Sequence, residues 1–382
     1  MTHINIKEIL WKLHIDSLTA MQQTTVEEYR KGKDLVLLSP TGSGKTIAYL
    51  LPLVLSLKNE NVLQAVVLVP SRELALQIEQ VFKSMGTGIP VMSCYGCRPA
   101  MDEHRTMKSL NPQVIIGTPG RMNDHLNKGN IDASHVHTLV IDEFDKCLEM
   151  GFQEEMSEVI AQIPYLKRRF FLSATDAPAI PRFVSEGDFL KLNFLEDEEQ
   201  IPERIKVYTV KSPEKDKLEV LFKLLCYLGD KSSLVFVNYR ESVERVYRYL
   251  LQAGISCEMF HGGMEQKDRE RALYKFSNGS CNVFVSTDLA ARGLDIPNID
   301  HVIHYHLPLN EDAYIHRNGR TARWDASGNV FLILGPEEYL PEFIQQIPED
   351  YVWEGPKPDP AKPQWVTLYI GKGKKDKINK VD

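Results

Sequence analysis

Apolar and polar positions follow two alternating periods along this chain. Short β-branched runs, DLVLLS (34–39), AVVLVP (65–70), PVMSCY (90–95), QVIIGT (113–118), HTLVID (137–142) and RFFLSA (169–174), predict strands. Between them lie stretches whose apolar residues recur every three or four positions, such as SRELALQIEQVFKSM (71–85), and these predict amphipathic helices. Near-continuous apolar strands separated by helices imply a parallel sheet covered on both faces. The pattern stops at EDEEQIPE (196–203), an acidic run with a proline that reads as a linker. It restarts with RIKVYTV (204–210), SSLVFVN (232–238), ISCEMF (255–260), CNVFVST (281–287), HVIHYH (301–306) and GNVFLIL (328–334). The expectation is an α/β protein of two tandem domains of similar build, 1–200 and 201–352, whose shared cleft is the natural place for a ligand.

A third region, 353–382, departs from this pattern. Four prolines in WEGPKPDPAKPQ (353–364) favour an extended tether. WVTLYIGKGKKDKINKVD (365–382) starts like a strand and ends with five lysines against two aspartates in its last twelve residues. That is either a solvated basic tail or the start of a further, truncated domain.

Composition bounds the setting. A chain of 382 residues, 43% hydrophobic, is long enough for two or three cores. No apolar run reaches the roughly 18 residues of a membrane span, and no basic-then-apolar leader follows Met1. The expectation is a cytoplasmic protein with no membrane contact. Six cysteines are too few for a disulfide framework, and the C-x-x-C of Cys94 and Cys97 lacks the second pair that a zinc site needs. A net charge of −7 argues against a globally basic nucleic-acid binder, although phosphate contacts need only a local basic stripe.

The strongest chemical signal is SPTGSGKT (39–46), placed after a predicted strand and before a predicted helix. Thr41, Gly42, Ser43 and Gly44 form a turn that can aim backbone N–H groups at phosphate oxygens, and the helix N-terminus adds favourable partial charge. Lys45 can reach the β- and γ-phosphates, and Thr46 offers a hydroxyl to Mg²⁺. VIDEFDK (140–146) places Asp142, Glu143 and Asp145 at the end of another strand. Asp142 is the candidate metal carboxylate, and Glu143 could orient or deprotonate an attacking water. The alternative for these acids is a favourable position in a helix's first turn.

From about residue 18 to residue 335 the chain resembles a DEAD-box ATP-dependent RNA helicase of superfamily 2, with DEFD where that family writes its signature and Phe144 replacing a small residue. The resemblance implies two tandem RecA-like domains joined by a short linker, with ATP and Mg²⁺ as cofactors. It assigns Gln22, in LTAMQQ, to the adenine edge, although the family's proline is Leu18 here. It assigns Asp295 to the ribose, and Arg320 and Arg323 of HRNGRTAR (316–323) to the γ-phosphate. His316, Asp145, Ser173 and Thr175 would couple the ATP and RNA sites, Ser173 and Thr175 by hydrogen-bonding Asp145 and the arginine block. Asn318 stands where the family has an aliphatic residue, and Ala322 and Trp324 where glycine and a small residue are usual.

The same resemblance implies an RNA grip. In the first domain it comprises Arg72, Gly96, Thr118 and Arg121, and in the second Gln266, Arg269, Thr287 and Arg292. Hydroxyls, backbone amides and arginines suit phosphate and sugar contact without reading sequence. ATP and single-stranded RNA would together close the domains, bending one strand and prying open a short duplex. The segment 365–382 resembles the opening of the RRM-like domain of DbpA-type bacterial helicases, which act on ribosomal RNA. A monomer acting on single-stranded or short duplex RNA is expected. A DNA-translocating motor of the same superfamily, or an ATP-dependent RNA clamp with little turnover, remains open.

Overall fold

The computed structural model describes residues 5–40, 42–96, 100–175, 189–195, 205–288, 299–321, 328–344 and 346–368. The chain forms two compact units that divide between Ile201 and Pro202. The acidic stretch expected as the linker lies outside the described residues.

The first unit holds a parallel sheet of β1 (Asp34–Leu38), β2 (Ala65–Leu68), β3 (Val91–Cys94), β4 (Val114–Gly117), β5 (Thr138–Ile141), β6 (Arg168–Ser173) and β7 (Phe189–Asn193), in the order β3-β4-β2-β5-β6-β1-β7. The second holds β8 (Ile205–Lys211), β9 (Ser233–Phe236), β10 (Cys257–Phe260), β11 (Val283–Ser286), β12 (His301–His304), β13 (Gly328–Leu334) and β14 (Glu349–Asp350), in the order β10-β11-β9-β12-β13-β8-β14. Counted from each unit's first strand the two orders are identical, so the units are topological repeats. Central strands such as AVVL and TLVI are buried along their whole length, as a sheet covered on both faces requires. Separate apolar clusters fill the two faces of the first sheet.

Two strands escape the sequence pattern. β7 is a half-exposed edge that, among the described residues, pairs only with β1, and β14 is two residues long. Edge strands that bury little surface need no continuous apolar run.

The proline-rich region is laid against the second unit. Trp353 packs on Tyr227 and Tyr351, with ring centroids 5.3 and 5.1 Å apart, and Lys223 Nζ sits 4.2 Å from its ring. The Tyr227 hydroxyl donates to the Gly355 carbonyl at 2.8 Å, and Lys357 lies over Phe222. Farther along, Gln364 donates to Asp230, and Thr367 meets Asn278 and Ser280 at 2.9 and 2.7 Å. The strand expected from Trp365 does not form over 365–368. There, side-chain bonds to the turn at 278–280 hold Thr367 without ladder pairing. The basic residues 369–382 lie outside the described residues.

Candidate functional site

In a parallel sheet the loops that follow the strands leave from the same end, and many of the described residues singled out by the sequence follow strand ends. After β1, the Ser39 N–H donates to the Ser173 carbonyl at 3.1 Å, so the phosphate-loop candidate departs beside the end of β6. Gly42 and Gly44 take φ of +90° and +88°, the left-handed region that a Cβ disfavours. Gly44 is the N-cap of the helix Lys45–Ser56, and Ser43 Oγ lies 2.5 Å from Ser39 Oγ. Lys45 is buried, and its Nζ donates to the carbonyls of Ser39 and Pro40 at 2.5 and 2.7 Å. Thr46 is half-buried in the first turn, and Thr41 lies outside the described residues.

Gln22 is drawn to this loop. It closes a capping box with Thr19 at the start of the helix Ala20–Arg30, and its Nε2 donates to the Gly44 carbonyl at 3.2 Å. Its carboxamide therefore joins the helix start to the glycine turn.

The acidic cluster follows β5. Asp142 is buried, and burial raises the pKa of its carboxyl, against the opposing pull of the Lys45 charge and of the Glu143 N–H that donates to its Oδ1 at 2.9 Å. The fully buried Tyr49 phenol is also pushed up, first by burial and then by the Asp142 charge. Glu143 has φ +50° and ψ +50°, a left-handed conformation rare outside glycine, and starts the helix Phe144–Glu149. Phe144 turns into the core, 5.4 Å from the Phe171 ring, which accounts for a large residue at this position. Asp145 accepts a hydrogen bond from Thr175 Oγ1 at 3.1 Å. Ser173 bonds within its own turn, donating to the Thr175 carbonyl at 2.6 Å and accepting from the Thr175 N–H at 3.1 Å. Of the expected pair, Thr175 reaches Asp145 and Ser173 shapes the turn that brings it there.

The grip candidates of this unit share the same end. Ser71 caps the helix Arg72–Ser84, and Arg72 pairs with buried Glu73 at 3.1 Å. Gly96 follows β3, and a Cβ there would meet nothing within 4 Å. Thr118 is the N-cap of Pro119–Asn127, and its N–H donates to the Cys94 carbonyl at 3.1 Å while its hydroxyl makes no capping bond. Arg121 faces Glu103 at 3.6 Å and Asp124 at 4.0 Å. Cys94, Glu103 and His125 lie within 4.8 Å of one another. Glu103 is already held by the Tyr95 N–H at 3.1 Å and by His125 Nε2 at 2.9 Å, and Asn130 meets His125 Nδ1 at 3.1 Å. Burial and Glu103 push the Cys94 thiol upward, away from the thiolate that a metal requires. Glu103 and His125 thus form a hydrogen-bonded brace beside Arg121.

In the second unit Gln266 opens the helix Gln266–Ser277 and donates to Glu270, and the Arg269 guanidinium stacks over Phe260 at 4.7 Å. Thr287 is buried just after β11. His316 and Arg320 are buried in and just after the helix Glu311–Asn318, which Asn310 caps. Arg292, Asp295, Ala322, Arg323 and Trp324 lie outside the described residues. Sequence reasoning overlooked Arg317, the most completely enclosed cation among the described residues of this unit, which meets Asp288, Asn238, His304 and the His306 carbonyl. The signal was present as an arginine between two named residues, but its acceptors are scattered from 238 to 306.

The DEAD/DEAH box helicase family matches residues 19–181, and the helicase conserved C-terminal domain matches residues 216–325. The chain is 34% identical over 335 residues to the ATP-dependent RNA helicase CshA of Listeria monocytogenes, covering 86% of this chain and 64% of that protein. It is 33% identical to the DEAD-box ATP-dependent RNA helicase CshA of Geobacillus kaustophilus, covering 87% of this chain and 72% of that one. Among solved structures, S. cerevisiae Dbp5 bound to RNA and ADP BeF3 matches with a TM-score of 0.77 and 26% identity, covering 86% of this chain and 88% of Dbp5. The two seven-stranded parallel sheets are thus tandem RecA-like domains.

Proposed function

We propose that this chain, which belongs to the family of DEAD-box ATP-dependent RNA helicases, hydrolyses ATP to unwind short RNA duplexes or to remodel RNA–protein complexes. The observation that carries the reading is the bond from Thr175 to Asp145 beside the phosphate loop. It links the acidic cluster after β5 to the turn after β6, whose Ser173 carbonyl in turn holds Ser39. A change at the nucleotide can reach the rest of the strand-end edge through that path.

In this reading Lys45, Thr41 and the amides of Gly42, Ser43 and Gly44 hold the phosphates, Gln22 selects adenine, and Asp295 contacts the ribose. Thr46 and buried Asp142 offer the oxygen donors that suit Mg²⁺, which when bound neutralises charge on the phosphate oxygens. Glu143 orients or deprotonates the attacking water, and Arg320 and Arg323 stabilise charge on the transferring phosphoryl group. Arg72, Gly96, Thr118 and Arg121 hold the RNA backbone from the first domain. Gln266, Arg269, Thr287 and Arg292 hold it from the second.

Two relatives carry the name ATP-dependent RNA helicase, and the Dbp5 structure holds RNA with ADP BeF3. These names support RNA as the polymer and ATP as the nucleotide. We further propose a cytoplasmic monomer that acts on ribosomal RNA. The lysines at 372, 374, 375, 377 and 380 favour such an anionic partner. No helix among the described residues is long and apolar enough to cross a membrane.

The test is ATP hydrolysis with and without single-stranded RNA, at low salt because phosphate contacts are screened. RNA should stimulate turnover, DNA of the same sequence should not compete, and Lys45→Ala should abolish the activity. Equal stimulation by DNA would favour a DNA motor. Intact ATP and RNA binding with background turnover would favour a clamp.

A further inference from the structure

Arg317 stands between the two sets of residues just assigned in the second domain and belongs to neither. All five of its guanidinium N–H donors meet an acceptor. Nε donates to Asp288 Oδ1 at 2.5 Å, and Nη2 donates to Asp288 Oδ2 at 2.7 Å and Asn238 Oδ1 at 2.8 Å. Nη1 donates to the His306 carbonyl at 2.7 Å and to His304 Nδ1 at 3.2 Å. The guanidinium also covers the Phe236 ring at 5.1 Å. These acceptors come from the ends of β9, β11 and β12, while the arginine comes from the helix Glu311–Asn318. One planar fork therefore fastens three strand ends to one helix, a geometry that lysine cannot reproduce.

The fork depends on a histidine tautomer. His304 Nδ1 can accept from Arg317 only when the ring proton sits on Nε2, and that N–H donates to Asn318 Oδ1 at 2.9 Å. Arg317, which can only donate, fixes that tautomer, and an aliphatic residue at 318 would leave the buried Nε2–H without an acceptor. The asparagine that departs from the family's pattern is thus matched by a histidine on the neighbouring strand.

We propose that Arg317, fixed by the His304–Asn318 pair, is a positioning residue that couples the RNA grip at Thr287 to the phosphate-side Arg320. Asp288, held in bidentate fashion, directly follows Thr287, and the Arg317 carbonyl accepts from the Arg320 N–H at 3.2 Å. One side chain therefore sets the spacing of both neighbours without touching either ligand. The proposal rests on the helicase reading above.

Two variants test it in the full chain. Arg317→Lys keeps the charge and removes the fork, and Asn318→Leu leaves Arg317 in place and takes away the acceptor of the buried His304 Nε2–H. For each, the ratio of RNA-stimulated to RNA-free turnover is measured, because that ratio is insensitive to the fraction of folded protein. It should fall about tenfold, the scale of a lost hydrogen bond to a charged group, while the KM for ATP stays within about threefold. Hydrogen exchange should quicken at both 286–288 and 318–321. Unchanged exchange at either segment overturns the brace whatever the turnover shows. Faster exchange at both with an unchanged ratio overturns the coupling. Absence of RNA stimulation in the parent chain instead overturns the helicase reading, and the exchange data still decide the brace.

Discussion

Glu143 occupies a left-handed backbone that costs a non-glycine residue on the order of 1 kcal/mol. The strain lies at the residue proposed to handle water, the N-cap of the helix Phe144–Glu149. Glu143→Gln keeps the shape and removes the base. ATP and RNA binding should persist while RNA-stimulated kcat falls by about 10²–10⁴, and an unchanged kcat in a single-turnover assay would refute the role. Its neighbour poses a packing question. Phe144 is buried against Phe171, so Phe144→Ala should cost about 3–5 kcal/mol in urea denaturation. A loss below about 1 kcal/mol would mean that the site collapses onto a smaller residue, as the family's usual small side chain allows. Residue placement was legible wherever spacing alone encodes it: the glycines at 42 and 44 take the left-handed turn, and Lys45 and Asp142 are buried beyond the strand ends, where SPTGSGKT and VIDEFDK put them. Phe144's core contact and the Arg317 fork were not legible, because their partners lie 27 and up to 79 residues away.

At the level of elements, β12 shows what a strand pattern conceals. HVIHYH reads as a strand with three polar positions, and His301 and His304 on β12 and His306 just after it are all buried or half-buried. Burial, the largest cause for each, lowers them from 6.5 to about 4 for His301, about 3 for His304 and about 4 for His306. The Arg317 charge opposes protonation of His304 further. Because the folded pKa values are depressed, the folded chain binds fewer protons than the unfolded chain between pH 6.5 and about 4. Stability is therefore fully present above pH 6.5 and is lost as pH falls, by up to about 1.4 kcal/mol per pH unit for each fully depressed histidine. Urea unfolding followed by hydrogen exchange of β12 should show this loss between pH 7 and 5, above the carboxylate range. His304→Gln should reduce the slope, and a flat profile in the parent chain over that interval would sink the assignment. The edge strands β7 and β14 show the complementary failure of pattern reading, since they bury too little to imprint an apolar run.

Across the whole molecule, identical strand orders make the two units repeats, and the C-terminal segment breaks that likeness. Its prolines favour an extended chain, and no helix or strand forms over 351–368, but composition says nothing of what such a chain lies against. Here Trp353 supplies the anchor through Tyr227, Tyr351 and Lys223, and polar bonds at Gly355, Gln364 and Thr367 continue the attachment as far as the turn before β11. Prolines reduce the conformational freedom lost on docking, so a few modest contacts suffice to hold the strap. Exposed backbone tethered by few contacts opens at low free energy, and limited proteolysis reads that opening. Trp353→Ala removes two aromatic contacts and a cation–π contact, together worth roughly 2–3 kcal/mol. Cleavage of the Pro356–Lys357 and Ala361–Lys362 bonds by a protease that cuts on the N-terminal side of lysine should then accelerate about thirtyfold or more, while both repeats keep their melting behaviour. Cleavage at the parent rate would show that the polar bonds alone retain the segment, and a general loss of melting temperature would make Trp353 a core residue of the second unit.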